Sequence, residues 1–426
     1  MTRRLRLATA ATFRSLRERN FRLFFVGQAV SMVGTWVQSV ALAWLVLSRT
    51  GDGVALGIVT ALQFLPVLLL GPWGGLLADR LDKRCLLVAT QAAAGVQALA
   101  MGVLVLTGTD SLGLVYGLAL VFGLITALDN PVRRAFVVEL VAEAHVPNAV
   151  GLNSALMTGS RIVGPALAGV LIAVVGVGWC FLVNAASYLA VLVALRRMDP
   201  VGFRTAPRAE GRIRGQLREG FAYVWRTPRL RLPLLLVAVA ATFAFNFPVL
   251  LPLLAERELA GGASTFSLLY STMSVGSLAG ALVVARRSRF AGRWLARAAL
   301  VYGVTLALLA VVPNLALAVA ASLPVGAAGV MLLSGANSAL QLSSAPAMRG
   351  RVNALFAMVF LGSTPIGGPI AGWVAEHAGV RAGFALGAAA TALAGAAALL
   401  ALRRAGAEAP GPAGTTAAGG ETAAAA

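Results

Sequence analysis

The chain has one lysine, two histidines, two cysteines and 16 acidic residues among 426, and charged residues make up only 12% of it. Each shortage excludes a class of function. The single lysine, Lys83, has no glycine-rich loop before it, so no P-loop is present and ATP is not the expected energy source. His145, His377, Cys85 and Cys180 are scattered singly, and neither a Ser–His–acid set nor a paired carboxylate stands out. No metal site, cofactor site or enzyme chemistry is therefore expected. The two cysteines fall at opposite ends of different apolar segments, too far apart for a disulfide.

What the chain has is apolar length. Hydrophobic residues make up 59% of it, and the mean hydropathy is +0.83. Charge-free stretches such as 23–48, 85–109, 232–255 and 352–375 are each long enough to cross a bilayer core of about 30 Å as a helix rising about 1.5 Å per residue. Longer runs divide at 176–178 and 313–314, where the chain can turn. The outcome is an all-α polytopic membrane protein with twelve spans, near 23–48, 53–78, 85–108, 112–130, 149–175, 179–195, 232–254, 264–285, 295–312, 315–342, 352–375 and 382–402. Around them the chain divides into an arm (1–22), a first six-helix bundle (23–195), a central loop (196–231), a second bundle (232–402) and a Gly/Ala/Pro-rich tail (403–426) expected to be disordered.

The formal charge of +19 does not make a nucleic-acid surface, because the basic residues sit singly or in short clusters between apolar spans. Of 35 Lys and Arg, 31 lie on the arm, the even-numbered loops and the stretch after span 12, while Arg49, Arg257 and Arg381 occupy the odd-numbered loops. By the positive-inside rule both termini are cytoplasmic in a multi-pass plasma-membrane protein. The first span has 26 uncharged residues and no small-residue cleavage site, so it reads as an anchor rather than a leader.

Shifting the chain by 203 residues aligns Gly159 with Gly362, Gly164 with Gly367, Gly176 with Gly379 and Phe181 with Phe384, within eight matches over 23 positions. The offset maps span 5 onto span 11 and points to a six-plus-six duplication. In the central loop, Ile213, Leu217, Phe221, Val224 and Trp225 recur at helical spacing among arginines. That pattern suits an interfacial amphipathic helix, with a loosely ordered linker as the alternative.

At the end of span 2 the chain reads Gly75-Leu76-Leu77-Ala78-Asp79-Arg80-Leu81-Asp82-Lys83-Arg84. This resembles the loop 2–3 signature of the major facilitator superfamily, with Asp82 where many members have glycine. Gly164-Pro165-Ala166-Leu167-Ala168-Gly169 in span 5 is similar to the antiporter signature, with Ala168 replacing one glycine. The strings Asn20-Phe21-Arg22, Asp129-Asn130-Pro131-Val132-Arg133-Arg134, Asn246-Phe247-Pro248-Val249-Leu250-Leu251-Pro252 and Arg349-Gly350-Arg351-Val352 resemble the drug:proton antiporter branch that includes enterobactin exporters.

The resemblance implies two bundles rocking about a cavity lined by spans 1, 4, 7 and 10, with Asp79, Arg80, Lys83 and Arg84 forming a gate near the start of span 11. The residues fit such a cavity. Gln28, Ser31, Thr35 and Gln38 form one polar stripe on span 1, span 7 has Phe243, Asn246 and Phe247, and span 10 has Met331, Asn337 and Gln341. Interhelical hydrogen bonding is the alternative for each amide. Arg161 is the one charge well inside a span and calls for a carboxylate, for which Asp129 is the candidate; a structural clamp between spans 4 and 5 is the other reading. Gly164 and Ala168 offer a helix-packing face, and the antiporter resemblance implies that their motif also seals the cavity against proton leak. The expected function is export of small amphipathic compounds, drug-like or siderophore, coupled to proton entry. An uncoupled facilitator or importer and a non-transporting sensor or scaffold are the alternatives.

Overall fold

Hydrocarbon has no partner for a peptide group, so a chain this apolar satisfies its backbone within helices. A computed structural model describes residues 13–203, 213–287 and 290–407; most of the expected N-terminal arm and of the tail lies outside them. Twelve spanning helices follow in order: α1 Arg19–Thr50, α2 Gly53–Arg80, α3 Lys83–Thr107, α4 Leu112–Glu139, α5 Val146–Val175, α6 Val177–Arg197, α7 in the pieces Pro228–Phe243 and Phe247–Leu253, α8 Ala263–Ala285, α9 Gly292–Ala310, α10 Leu315–Ser343, α11 in the pieces Arg349–Gly362 and Thr364–Ala378, and α12 Val380–Ala407. Side chains cap several of them, as where Asp82 Oδ1 accepts from Cys85 N–H (2.7 Å) and Asn314 Oδ1 from Leu317 N–H (3.0 Å).

The twelve expected spans are all present, and most helices continue beyond the charge-free stretches because polar residues extend them past the hydrocarbon. The interruptions in α7 and α11 were not expected. Each second piece begins with a proline in its first turn, Pro248 and Pro365, whose missing N–H and steric demand end the preceding turn.

The halves repeat one packing scheme. In the first, α1 and α3 pack on α6 and α2 packs on α4; in the second, α7 and α9 pack on α12 and α8 packs on α10. The joints α5–α6 and α11–α12 are made at Gly176 and Gly379, both at φ 91°, a backbone region that favours glycine. Those two residues belong to the 203-residue sequence repeat. The two six-helix bundles meet where α2 packs on α11 and α5 on α8.

The central loop contains a helix, Ile213–Arg226. Phe221 and Trp225 are exposed and stacked at 5.6 Å, with Arg231 5.9 Å from the Trp225 ring, while Val224 is buried. The same helix rests on the start of α11: Glu219 pairs with Arg351 (2.8 Å) and the Tyr223 hydroxyl accepts from Ala345 N–H (3.2 Å).

Candidate functional site

At the arginine-poor end, where the odd-numbered loops lie, the halves are latched. Glu376 at the end of α11 accepts from the Gly53 N–H at the start of α2 (2.9 Å) and pairs with Arg257 (2.8 Å), which also donates to the Gly51 carbonyl. A carboxylate on a helix N-terminus gains from both the unpaired amides and the helix dipole. Beside it α2 and α11 approach closely, since a Cβ on Gly57 would sit 2.7 Å from the Gly368 carbonyl oxygen. Toward the arginine-rich end the face of α5 that carries Ala168 loses its cover: Gly164, Ala168 and Gly169 are buried, while Arg161, Met157 and Ser154 are exposed. The space between the halves therefore opens toward the arginine-rich face.

Arg161 sits where that opening ends. On α5 it lies about 200° around the helix from Val163 and about 20° from Ala168 at about 100° per residue. Val163, Val170 and Val174 are 53%, 60% and 75% exposed and form the lipid-facing stripe, so Arg161 points the other way. Its guanidinium lies 5.2 Å from the Trp36 ring of α1, and Trp36 meets Tyr270 of α8 at 5.9 Å. Ser154 and Met157, on the same face of α5 nearer the arginine-rich end, are exposed as Arg161 is; Gly164, Ala168 and Gly169 beyond it are buried. A cation–π contact contributes about 0.5–2 kcal/mol, whereas an arginine at a span centre costs about 2.5–3.5 kcal/mol. The ring alone does not compensate, and the Tyr270 hydroxyl of α8 is the polar group within reach of the guanidinium.

The expected Asp129–Arg161 pair is not formed. Asp129 is 3% exposed and takes bonds from Thr90 Oγ1 (2.8 Å), Gln91 Nε2 (2.7 Å) and Arg133, one turn along its own helix. The carboxylate faces α3 inside the first bundle, and no carboxylate pairs with Arg161 among the described residues. The polar stripe on α1 also turns inward rather than to the opening. Gln38 Nε2 donates to Gln97 Oε1 of α3 (3.1 Å), and Asn184 Nδ2 of α6 donates to Gln38 Oε1 (2.7 Å). Thr35 meets the Tyr188 hydroxyl of α6 (3.3 Å), and Gln28 and Ser31 are buried.

Comparison with known proteins agrees with this architecture. The sequence model described as transmembrane secretion effector matches residues 10–412. The chain belongs to this family of major facilitator transporters. It is 27% identical to the staphyloferrin A transporter of Staphylococcus aureus over 64% of this chain and 68% of that one. It is 25% identical to macrolide efflux protein A of Streptococcus pyogenes over 86% and 92%, and 26% identical to the multidrug efflux pump Tap of Mycolicibacterium fortuitum over 82% and 88%. Among solved structures, a bacterial homologue of the lysosomal transporter Spinster, inward-facing and occupied, superposes with TM-score 0.70 at 14% identity over 90% and 96% of the chains. The nucleoside transporter NupG superposes equally, with TM-score 0.70 at 14% identity over 91% and 99%. This protein is thus a multi-pass membrane transporter rather than an enzyme.

The remaining expected residues of this secretion-effector chain divide by location. Asp79 is in the helical backbone of α2, with its side chain outside the described residues, and Arg80 is exposed. Lys83 pairs with Glu139 at the end of α4 (2.6 Å), and Arg84 donates to the last carbonyls of α6, Leu195 (2.9 Å) and Arg196 (3.2 Å). Both therefore hold the first bundle together in this conformation instead of bridging to α11. Asn246, at the break in α7, is 2% exposed and donates to the Thr242 carbonyl (2.8 Å), with Gly367 of α11 against it. Phe247 is buried against Phe245, and Phe243 and Met331 are half-buried. Gln341 is exposed and donates to Asn337 one turn away (3.2 Å). Pro165 and Ala168 are buried, Gly164 packs on Trp36 and Gly169 on Ser267 of α8, so the motif fits α5 to both halves.

Sequence reasoning missed Trp36, Tyr270 and the Glu376–Arg257 latch. The latch had a legible signal in the scarcity of charge on the odd-numbered loops. The aromatic pair had none, because two rings 234 positions apart become neighbours only through the packing of α1 near α8.

Proposed function

We propose that the protein exports small amphipathic organic compounds across the plasma membrane by alternating access, driven by proton entry, with both termini in the cytoplasm. The observation that carries this reading is the unequal cover of the seam: latched at the arginine-poor end, with the seam face of α5 uncovered from Arg161 to Ser154 toward the arginine-rich end that the positive-inside rule puts in the cytoplasm. A carrier in that state accepts cargo from inside the cell, and the similarity to efflux proteins for macrolides and multiple drugs supports the direction. In this reading the proton is carried by Asp129, a carboxylate 3% exposed inside the first bundle. Unpartnered buried atoms near it, Gln91 Oε1 and Arg133 Nε, suit water in its surroundings.

Inverted membrane vesicles containing the protein should accumulate the amphipathic organic anion 8-anilinonaphthalene-1-sulfonate when their interior is acid, and an uncoupler should abolish the accumulation. Asp129→Asn is expected to reduce gradient-driven accumulation by at least about tenfold, as loss of an intramembrane proton carrier does, while exchange of labelled for unlabelled substrate continues. Accumulation indifferent to the gradient would instead identify an uncoupled facilitator, in which the three bonds to Asp129 clamp α3 to α4.

A further inference from the structure

Arg161 has no carboxylate partner among the described residues, although it stands well inside a span. It is exposed, it faces away from the lipid stripe of its own helix, and it lies at the closed end of the opening between the halves. Its immediate company is aromatic: the Trp36 face at 5.2 Å and Tyr270, which is within electrostatic reach of it across the seam. Its expected acidic partner is held elsewhere by Arg133. A guanidinium so placed presents a planar fork of N–H donors into a confined, partly desolvated space, the arrangement that favours two-pronged binding of an oxyanion. The half-buried Trp36 gives flat apolar surface beside it, and Tyr270, 6% exposed, backs that ring from the second half.

We propose that Arg161 is a specificity-determining residue that binds an anionic group, a carboxylate or similar oxyanion, of the transported compound, while Trp36, backed by Tyr270, binds its apolar body. This rests on the transport reading above and adds the charge class of the cargo. Because Trp36 of the first half packs on Tyr270 of the second, cargo bound at Arg161 and Trp36 sits on the contact between the bundles. An anionic lipid headgroup reaching the α5–α8 seam offers the same chemistry, and the test separates the two sources.

Three compounds of nearly equal shape serve as probes: 2-naphthoate, neutral 2-naphthamide and cationic 2-naphthyltrimethylammonium. Binding of each is measured by equilibrium dialysis on the full-length protein in nanodiscs of phosphatidylcholine, and again with one-third phosphatidylglycerol. The unmodified protein should bind the acid at least about tenfold more tightly than the amide, the size of one charge-assisted hydrogen-bonding contact, and the cation most weakly. In Arg161→Gln the acid-to-amide ratio should collapse toward one, whereas Arg161→Lys, which keeps the charge without the fork, should retain a preference of a few fold. Gel-filtration profiles and melting curves of both variants establish that they are folded. Equal binding of acid and amide by the unmodified protein, absence of binding of all three, or an undiminished acid preference in Arg161→Gln overturns the proposal. So does an acid preference that disappears in phosphatidylglycerol discs, since the site would then be a lipid site. These are binding measurements, so they stand or fall independently of the vesicle flux that tests transport.

Discussion

Replacing Gln38 by alanine removes two bonds at once and leaves Gln97 of α3 and Asn184 of α6 with unmet polar atoms inside the first bundle. Interhelical hydrogen bonds in membrane bundles each contribute about 0.6–2 kcal/mol, and a buried group deprived of its partner costs about 1–3 kcal/mol. Gln38→Ala should therefore lower the melting temperature of the purified protein by several degrees while the KM for any transported compound stays within about twofold, because Gln38 has no path to the opening. A large change in KM at unaltered melting temperature would put Gln38 back in the substrate cavity. Polar residues on a membrane helix announce that some partner exists, and the spacing of Gln28, Ser31, Thr35 and Gln38 puts them on one face of α1. Which neighbour that face meets is settled by the rotation of α1 against α6, a quantity absent from the period itself.

At the scale of elements, the crossing of α8 and α10 leaves no room for side chains. A Cβ on Gly276 would fall on the Leu323 carbonyl oxygen, one on Gly280 on that of Ala327, and one on Gly326 on that of Met273. Without a hydrophobic drive between helices in lipid, such close backbone contact is a main source of association. Gly276→Ala is expected to destabilise the second bundle by about 1–3 kcal/mol, as overpacking does, and Gly276→Leu to abolish recovery of folded protein. Gly159→Ala, with open space around it, should be neutral and is the control. Melting curves in detergent decide; equal stability of Gly276→Ala and Gly159→Ala would contradict the packing argument. Gly276 and Gly280, one turn apart on α8, mark a close-packing face because glycines at helical spacing have few other uses, but their spacing does not say which helix it meets.

At the scale of the whole molecule, the latch on the arginine-poor face sets which end is closed. Glu376 and Arg257 are each about one-third exposed, with side-chain values of 33% and 30%, so screening limits the pair to about 0.5–1 kcal/mol. A bias of that size changes a two-state population ratio about two- to fivefold. Glu376→Gln should accordingly increase the population with the arginine-poor face open. Spin labels on Thr109→Cys and Val311→Cys, exposed on opposite halves at that face, read this as growth of a longer-distance component, with Cys85 and Cys180 replaced beforehand. An identical distance distribution in Glu376→Gln would remove the latch from the conformational balance. The resemblance-based gate at Asp79 would be its counterpart at the other end, each carboxylate at the C-terminal end of one helix meeting the N-terminus of the other.

Twelve spans, the turns at Gly176 and Gly379 and a helix in the central loop were legible in the sequence alone, because a bilayer demands apolar length and fixed periods that are local properties. The sequence also carried the family, through strings such as Gly164 to Gly169. Only the tertiary structure decided where the charges and amides point: Asp129 to Arg133 and α3, Gln38 into the first bundle, Arg161 into the opening, Glu376 across the seam. The physical reason is that partner choice depends on helix rotation and on contacts between segments far apart in the chain, and a residue type states only that it needs a partner.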